Sequence, residues 1–426
     1  MKAKVYPIHD VTNEIKIDAS LFALHIEIVL ASIAKGTSTI KNVVRCNEID
    51  TTIQWCKNLG ANIKVNDNKL SIRGVNKVIK YQNSLFVCNN TSTTAKLMLA
   101  ILCLSNQPFG IQASPEIRDE IKSLSSILEM FEVKCIAENE MLRFENKLVA
   151  KEVELDGDLD IYFAAGLLIA LPLLSKSSSI RLVAPIRLEK NYSTILKIAK
   201  RFHVDIRHPS SMRYEINGNQ HYSKAKISTE IDKFLLSHLA LLTQKMPSDA
   251  KLKVNNYRHG STDENRKLFD FIKANAVSYY RFPHNMLRKK KISIQRIDIS
   301  IENCLPLFMV IGTLNDQDVT INKVDFFKPR IKKQYEIMSR IFSKLKLNYA
   351  AFEDENIIRV SPSRVQEIKQ VDCEDDPIVV MAITMLALLS DVAIVIRNAE
   401  CIDEINRDFF EKLKSYGAVI EYIHDR

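Results

Sequence analysis

Leu59-Gly60-Ala61 closes the first amphipathic stretch of the chain, and the same landmark returns as Phe131-Glu132-Val133, Phe202-His203-Val204, Ala274-Asn275-Ala276, Leu345-Lys346-Leu347 and Tyr416-Gly417-Ala418. The central residues, at 60, 132, 203, 275, 346 and 417, are spaced by 72, 71, 72, 71 and 71 positions, so six units of about 71 residues account for all 426. A period of this length holds one supersecondary unit with two helices and several strands. Each unit opens with a nearly all-apolar stretch: Ala23 to Ala34, Ala95 to Leu104, Tyr162 to Leu174, Phe234 to Leu242, Leu305 to Leu314 and Ile378 to Leu389. Helices apolar on every side are buried on every side.

Working outward from these helices, short alternating runs such as Ser38 to Val43, Ser179 to Val183 and Val392 to Ile396 read as strands with one buried and one wet face. An amphipathic helix follows, as in Ile49 to Leu59 or Phe409 to Tyr416, and then a strand pair, as in Asn62 to Val65 and Lys69 to Ile72. Gly60 stands where a left-handed C-cap residue is cheapest, and Asp50 reads as a helix N-cap. The expected fold is α/β: a two-domain inside-out α/β barrel of six βαβαββ repeats, helices inside and sheets outside, three per domain with pseudo-threefold symmetry.

Composition narrows the function. Ten glycines in the whole chain leave no glycine-rich phosphate loop. Eight cysteines occur without a CxxC pair or a zinc-like His/Cys spacing, so they read as reduced core residues of a cytoplasmic protein, and no metal or cofactor is expected. The formal charge of +9 is dispersed except at Arg288, Lys289, Lys290 and Lys291, a run without interleaved aromatics that reads as a solvated hairpin end and not as a nucleic-acid surface. Met1 to Pro7 lacks the pattern of a secretory signal, and Met381 to Leu389 is too short to span a membrane. A monomer with no membrane and no nucleic-acid partner is expected.

Several stretches resemble the enolpyruvyl transferases, and among them the EPSP synthase family. These are Ser20 to Ile26, Leu30 to Asn42 with its glycine turn, Asp50-Thr51, Leu59-Gly60-Ala61, Asn90-Thr91-Ser92-Thr93-Thr94-Ala95-Lys96, Asp376 to Leu388, and Cys401 to Leu413. The likeness covers the whole chain and implies the inside-out barrel already expected, with domains of 19–227 and of 1–18 together with 228–426, because in the family the first strand joins the last three units. It also implies transfer of the enolpyruvyl group of phosphoenolpyruvate to shikimate-3-phosphate, in the shikimate pathway of aromatic amino acid biosynthesis, with small-molecule ligands held in an interdomain cleft.

At the positions that carry this chemistry the chain departs from the family pattern. The resemblance places family cations at Leu21, Ile26, Pro115, Gln334, Ile378 and Glu404, and the proton-transferring glutamate at Ile331. Charge-assisted hydrogen bonds contribute roughly 1.5–3 kcal/mol each, so losing even four removes about 6–12 kcal/mol of anion binding. An isoleucine moves no proton, and general acid–base catalysis supplies about 100- to 10,000-fold. Positions that keep their polar character are Ser20, Lys96, Tyr192, Asn90, Thr93 and Glu302, the last in place of an aspartate that helps deprotonate the shikimate hydroxyl and so the one catalytic candidate. Two readings follow. In one, the chain is a diverged, possible pseudoenzyme member with an altered ligand or none. In the other, it is an active transferase whose anion site is rebuilt from Lys96, Arg118, Arg330, Lys332 and Lys333. The coincident replacements favour the first.

Overall fold

A computed structural model describes residues 1–76, 79–88, 91–157, 159–183, 189–257, 266–281, 285–298 and 304–423. Within them run thirteen α-helices: α1 (Leu21–Ile33), α2 (Asn47–Asn58), α3 (Thr93–Leu102), α4 (Pro115–Lys122), α5 (Ser125–Met130), α6 (Ile161–Ala170), α7 (Glu189–Arg201), α8 (Lys233–Ala240), α9 (Arg266–Asn275), α10 (Leu305–Leu314), α11 (Pro329–Leu345), α12 (Pro377–Leu389) and α13 (Phe409–Ser415). The six apolar stretches are α1, α3, α6, α8, α10 and α12. In α1 every residue from Phe22 to Ile33 is buried, and in α12 every residue from Ile378 to Leu389. Water cannot reach the first N–H groups of such helices, so side chains must. Asp160 accepts from Tyr162 and Phe163 at the start of α6, Asp232 from Phe234 and Leu235 at α8, and Asp376 from Ile378 and Val379 at α12.

The strands form six four-stranded sheets, each a parallel pair extended by two antiparallel strands. In one of them Leu85–Val87 runs parallel to Phe109–Gln112, which pairs antiparallel with Met141–Glu145, with Lys134–Glu138 outside. Burial alternates along the strands, as in Glu152–Asp156, so one face lies on the helices and the other in water.

The chain divides into two compact units, one spanning Asp18–Glu230 and the other formed by Met1–Ile17 with the chain from Ile231 onward. In the first, α1, α3 and α6 pack on one another; in the second, α12 packs on α8 and α10. Two strands are exchanged where the chain passes from one unit to the other. Glu14–Ile15 precedes α1 in sequence but pairs with Leu252–Val254, and Lys226–Ser228 precedes α8 but pairs with Thr37–Lys41. The strand Lys2–Val5 lies between Ile394–Arg397 and Ile420–Ile423, where the other sheets use a strand of their own repeat.

The recurring landmark is a helix C-terminus. Gly60, Glu132, His203, Lys346 and Gly417 all have positive φ, between 57° and 102°. In each case the next N–H reaches back five residues: Ala61 to Cys56, Val133 to Leu128, Val204 to Ala199, Leu347 to Phe342 and Ala418 to Leu413. This is the Schellman arrangement, and its apolar contact explains why the residue after the turn is always apolar and buried. Asn275 differs, because α9 runs through it. Only two of the five left-handed positions carry glycine. His203→Gly is expected to stabilise the fold by about 1 kcal/mol, as it removes the Cβ clash of a left-handed residue. Urea denaturation of the variant tests this, and a loss of stability would show that the turn is held by the side chain.

Two local expectations need correction. Helix α2 starts at Asn47 with Cys46 as its N-cap, so Asp50 lies one turn inside, where its carboxylate pairs with Arg45 at 2.7 Å. The second repeat carries two helices, α4 and α5, in place of one, with a break at Ser123-Leu124. The basic run begins within the strand Met286–Lys289, which holds Arg288 and Lys289, and continues beyond it; Arg288 donates to the Ser248 carbonyl and Lys291 pairs with Asp316. All eight cysteines are unpaired.

Candidate functional site

In the first unit Ser20, Leu21 and Lys96 sit at the N-terminal ends of the buried helices α1 and α3, whereas Pro115 and Arg118 lie on α4 and Tyr192 on α7. Ser20 caps α1, accepting from the Ala23 N–H. Leu21 is half-buried against the apolar core, and Ile26 is fully buried within it, where a charge would have no room. Lys96, on the first turn of α3, retains a cation, but its ammonium is taken by Glu120 at 2.7 Å and Asp160 at 3.1 Å. Burial opposes its charge, yet the two carboxylates hold its pKa above the ordinary lysine value. Pro115 forms the first residue of α4, where a missing N–H costs nothing. Arg118, one turn on, donates to the Asn139 carbonyl. Tyr192 is buried and stacks on Tyr214 with ring centroids 5.5 Å apart.

Beside Lys96 lies a polar cluster of which the sequence reading singled out only Thr93. His25 Nδ1 is 2.8 Å from Thr52 Oγ1, which is 2.7 Å from Thr94 Oγ1. Glu48 accepts from Thr91 and Thr93, and its other oxygen lies 3.6 Å from His25 Nε2. Burial would raise the Glu48 carboxyl, but His25 and the two hydroxyls outweigh it and hold the pKa below the ordinary value. The signal available in sequence was the hydroxyl run Thr91 to Thr94; its partners come from other helices.

In the second unit the candidates lie on α11, α12 and the turn Ala399–Glu404. Arg330, Lys332 and Lys333 are exposed on the first turns of α11. Ile331 packs on the apolar core. Gln334 points inward, 1% exposed, and donates to Asp376 Oδ2 at 3.4 Å. At 100° per residue Lys332 lies on the far side of α11 from Gln334. Ile378 is buried against the core. Glu404 belongs to an acidic group: Asp375, Asp376, Glu400 and Glu404 all act on the Cys401 thiol, which burial, reinforced by these charges, pushes up to about 12. Of these carboxylates, Glu404 stands at a position where the resemblance places a family cation. Glu302 and Asn90 lie outside the described residues.

No helix among the described residues is long and apolar enough to cross a membrane, and no group of three or more His, Cys, Asp or Glu there could hold a metal ion.

With this geometry in place, comparison with known proteins assigns the family. The family model for EPSP synthase (3-phosphoshikimate 1-carboxyvinyltransferase) matches residues 5–413. The 3-phosphoshikimate 1-carboxyvinyltransferase of Clostridium perfringens is 22% identical over 429 residues, covering 99% of this chain and 100% of that protein. That of Methanococcus maripaludis is 23% identical, covering 94% of this chain and 95% of that protein. The fold is shared with an EPSP synthase from Acinetobacter baumannii, at a TM-score of 0.80, 13% identity and 99% coverage of both chains. It is shared too with the enolpyruvyl transferase NikO from Streptomyces tendae, at a TM-score of 0.79, 12% identity, and coverage of 99% of this chain and 98% of that one. The sixfold repeat, the capped apolar helices and this whole-length match together place the chain in the EPSP synthase family.

Proposed function

We propose that this chain is a diverged member of its family that does not carry out ordinary enolpyruvyl transfer, and that any ligand it takes is less anionic than shikimate-3-phosphate or phosphoenolpyruvate. The observation that carries this reading is the second unit's charge pattern. At three positions where the family pattern has cations stand a buried amide (Gln334), a core isoleucine (Ile378) and a glutamate (Glu404), beside the carboxylates of Asp375 and Asp376. An anion placed there would meet like charge without a compensating donor. In the first unit the surviving Lys96 is already neutralised by Glu120 and Asp160. Ile331 supplies no group that exchanges a proton.

The alternative, an active 3-phosphoshikimate 1-carboxyvinyltransferase, draws its support from the three exposed cations Arg330, Lys332 and Lys333 together with Lys96 and Arg118. The proposed setting is the cytoplasm, for a monomer that uses no cofactor and engages neither nucleic acid nor membrane. Calorimetry separates the two readings. Shikimate-3-phosphate is expected to bind no tighter than about millimolar, or ~4 kcal/mol, and addition of phosphoenolpyruvate to release no phosphate at an enzyme-dependent rate. Micromolar binding or enzyme-dependent phosphate release would establish the active transferase instead.

A further inference from the structure

The sheet of the third repeat carries a cavity on its water face. In it Glu152–Asp156 runs parallel to Ser178–Val183, which pairs antiparallel with Arg213–Ile216, and Arg207–Ser210 lies outside. Val153, Ile180 and Tyr214 are buried, so the residues alternating with them face outward. Register sets these in two rows: Glu154, Arg181 and Arg213 stand opposite one another in the first, and Glu152, Ser179 and Glu215 in the second. An open cavity of about 590 Å³ lies over the rows, lined by Glu152, Glu154, Ser179, Arg181 and Arg213 and by Met212, whose apolar side chain is 38% exposed. Sites for small molecules usually measure about 300–1,000 Å³.

The charges around this cavity are only partly satisfied. The Leu182 N–H donates to the Met212 carbonyl at 2.7 Å, so Arg181 and Arg213 form a pair without direct backbone hydrogen bonds, the closer of the two cross-strand kinds. Like charges so placed repel. Arg181 Nη1 donates to Glu154 at 2.9 Å and Arg213 Nη2 lies 3.2 Å from Glu215, which leaves further N–H groups of both guanidiniums unused. The other oxygen of Glu215 is 3.8 Å from Arg207, and the Ser210 hydroxyl accepts from the Met212 N–H. Glu152 is exposed and makes no ion pair among the described residues; its neighbour Lys151 is held by Glu132 at 2.6 Å. An anion alone would meet Glu152, Glu154 and Glu215, and a cation alone would meet Arg181 and Arg213. A ligand that carries both charges meets a partner at each end. Glu152 and Arg213 lie two strands and two residues apart, about 12 Å between Cα atoms. Side chains leaning inward close part of that distance and leave a gap that a free amino acid, with both charges on one carbon, spans poorly and a dipeptide spans.

We propose that this cavity binds a dipeptide, its ammonium on Glu152, its carboxylate on the unused N–H groups of Arg213 and Arg181, and an apolar C-terminal side chain against Met212. The site lies on the far side of the sheet from the buried helices and is independent of the reading of an altered transferase.

Methyl NMR of the full chain with labelled methionine tests the site, at low ionic strength because salt screens exposed charges. The Met212 signal, assigned through Met212→Leu, is the reporter, since this side chain lines the cavity. Glycyl-leucine is expected to move it saturably, in the millimolar range. N-acetylglycyl-leucine, which lacks the ammonium, glycyl-leucinamide, which lacks the carboxylate, and free leucine are each expected to bind about tenfold more weakly. Glu152→Gln is expected to erase the preference for the free ammonium, so that glycyl-leucine and its acetylated form bind alike, and Arg213→Gln to erase the preference for the carboxylate over the amide. Both positions are exposed, and the remaining methionine signals report that each variant is folded. An unsaturable response, capped dipeptides or leucine binding as tightly as glycyl-leucine, or preferences that survive both substitutions overturns the proposal. Shikimate-3-phosphate binding is measured separately, so failure here leaves the diverged-member reading as it stands.

Discussion

Glu27→Gln is expected to stabilise the protein by about 3 kcal/mol at pH 8 and to have little effect near pH 4.5. Glu27 sits on α1 with no exposed surface. Its Oε2 accepts from Thr229 at 2.6 Å, Oε1 is 3.7 Å from Arg201, and Glu230 faces the same guanidinium at 3.5 Å. Burial raises its carboxyl to about 7, against the lowering effects of Thr229 and Arg201. The sign follows from linkage. A carboxyl whose folded pKa lies above its unfolded value binds its proton more tightly in the native state, so folding is favoured at low pH. Stability is then lost as pH rises from about 4.5 through about 7, and the loss is complete above that. The neutral amide keeps an acceptor for Thr229 and has no charge to desolvate, so its stability should stay flat over the same range. Urea denaturation of both proteins at several pH values between 4.5 and 8 measures this. A variant less stable than the parent at pH 8 would show that the Arg201 contact outweighs burial.

Gly166→Ala is expected to destabilise the first unit by about 3 kcal/mol. A Cβ at this position would lie 2.2 Å from the Leu97 carbonyl oxygen and 3.1 Å from its carbon, where α6 crosses α3. Both neighbours are backbone inside buried helices, so relief requires the helices to separate and the surrounding core to loosen. Gly60→Ala makes the comparison. There the added methyl would meet only a Val75 side chain at 3.5 Å, and the penalty is that of a positive φ of 93°, about 1 kcal/mol. Chemical denaturation of the pair, read by circular dichroism, separates overpacking from backbone strain. Equal losses in the two variants would mean that the crossing of α3 and α6 adapts to the extra atom.

The features legible in the sequence are those whose cause is local. A left-handed turn needs an apolar residue just after it and another five positions before that one, and this requirement recurs wherever the turn does, whether its centre is Gly60, Glu132 or Lys346. Helices buried on all sides show as unbroken apolar runs, and strands on one-sided sheets show as alternation. The replaced family positions could be read in the same way, since Ile331 and Ile378 are apolar in any context. What each remaining polar residue does was decided by tertiary structure. Lys96 and Asp160 are 64 positions apart, yet their ion pair offsets the positive charge that the sequence offers. Gln334 reads as one polar residue in a basic stretch until the packing of α11 on α12 brings it, buried, against Asp376. The strand partners of Glu14–Ile15 and Lys226–Ser228 were out of reach of the residue pattern, because a strand of two or three residues carries no mark of its partner; only the family resemblance implied that residues 1–18 go with the later repeats. Pairing of that kind is fixed by which sheet edge the folded chain brings near, and charge pairing by which helix ends converge; neither is a property of neighbouring residues.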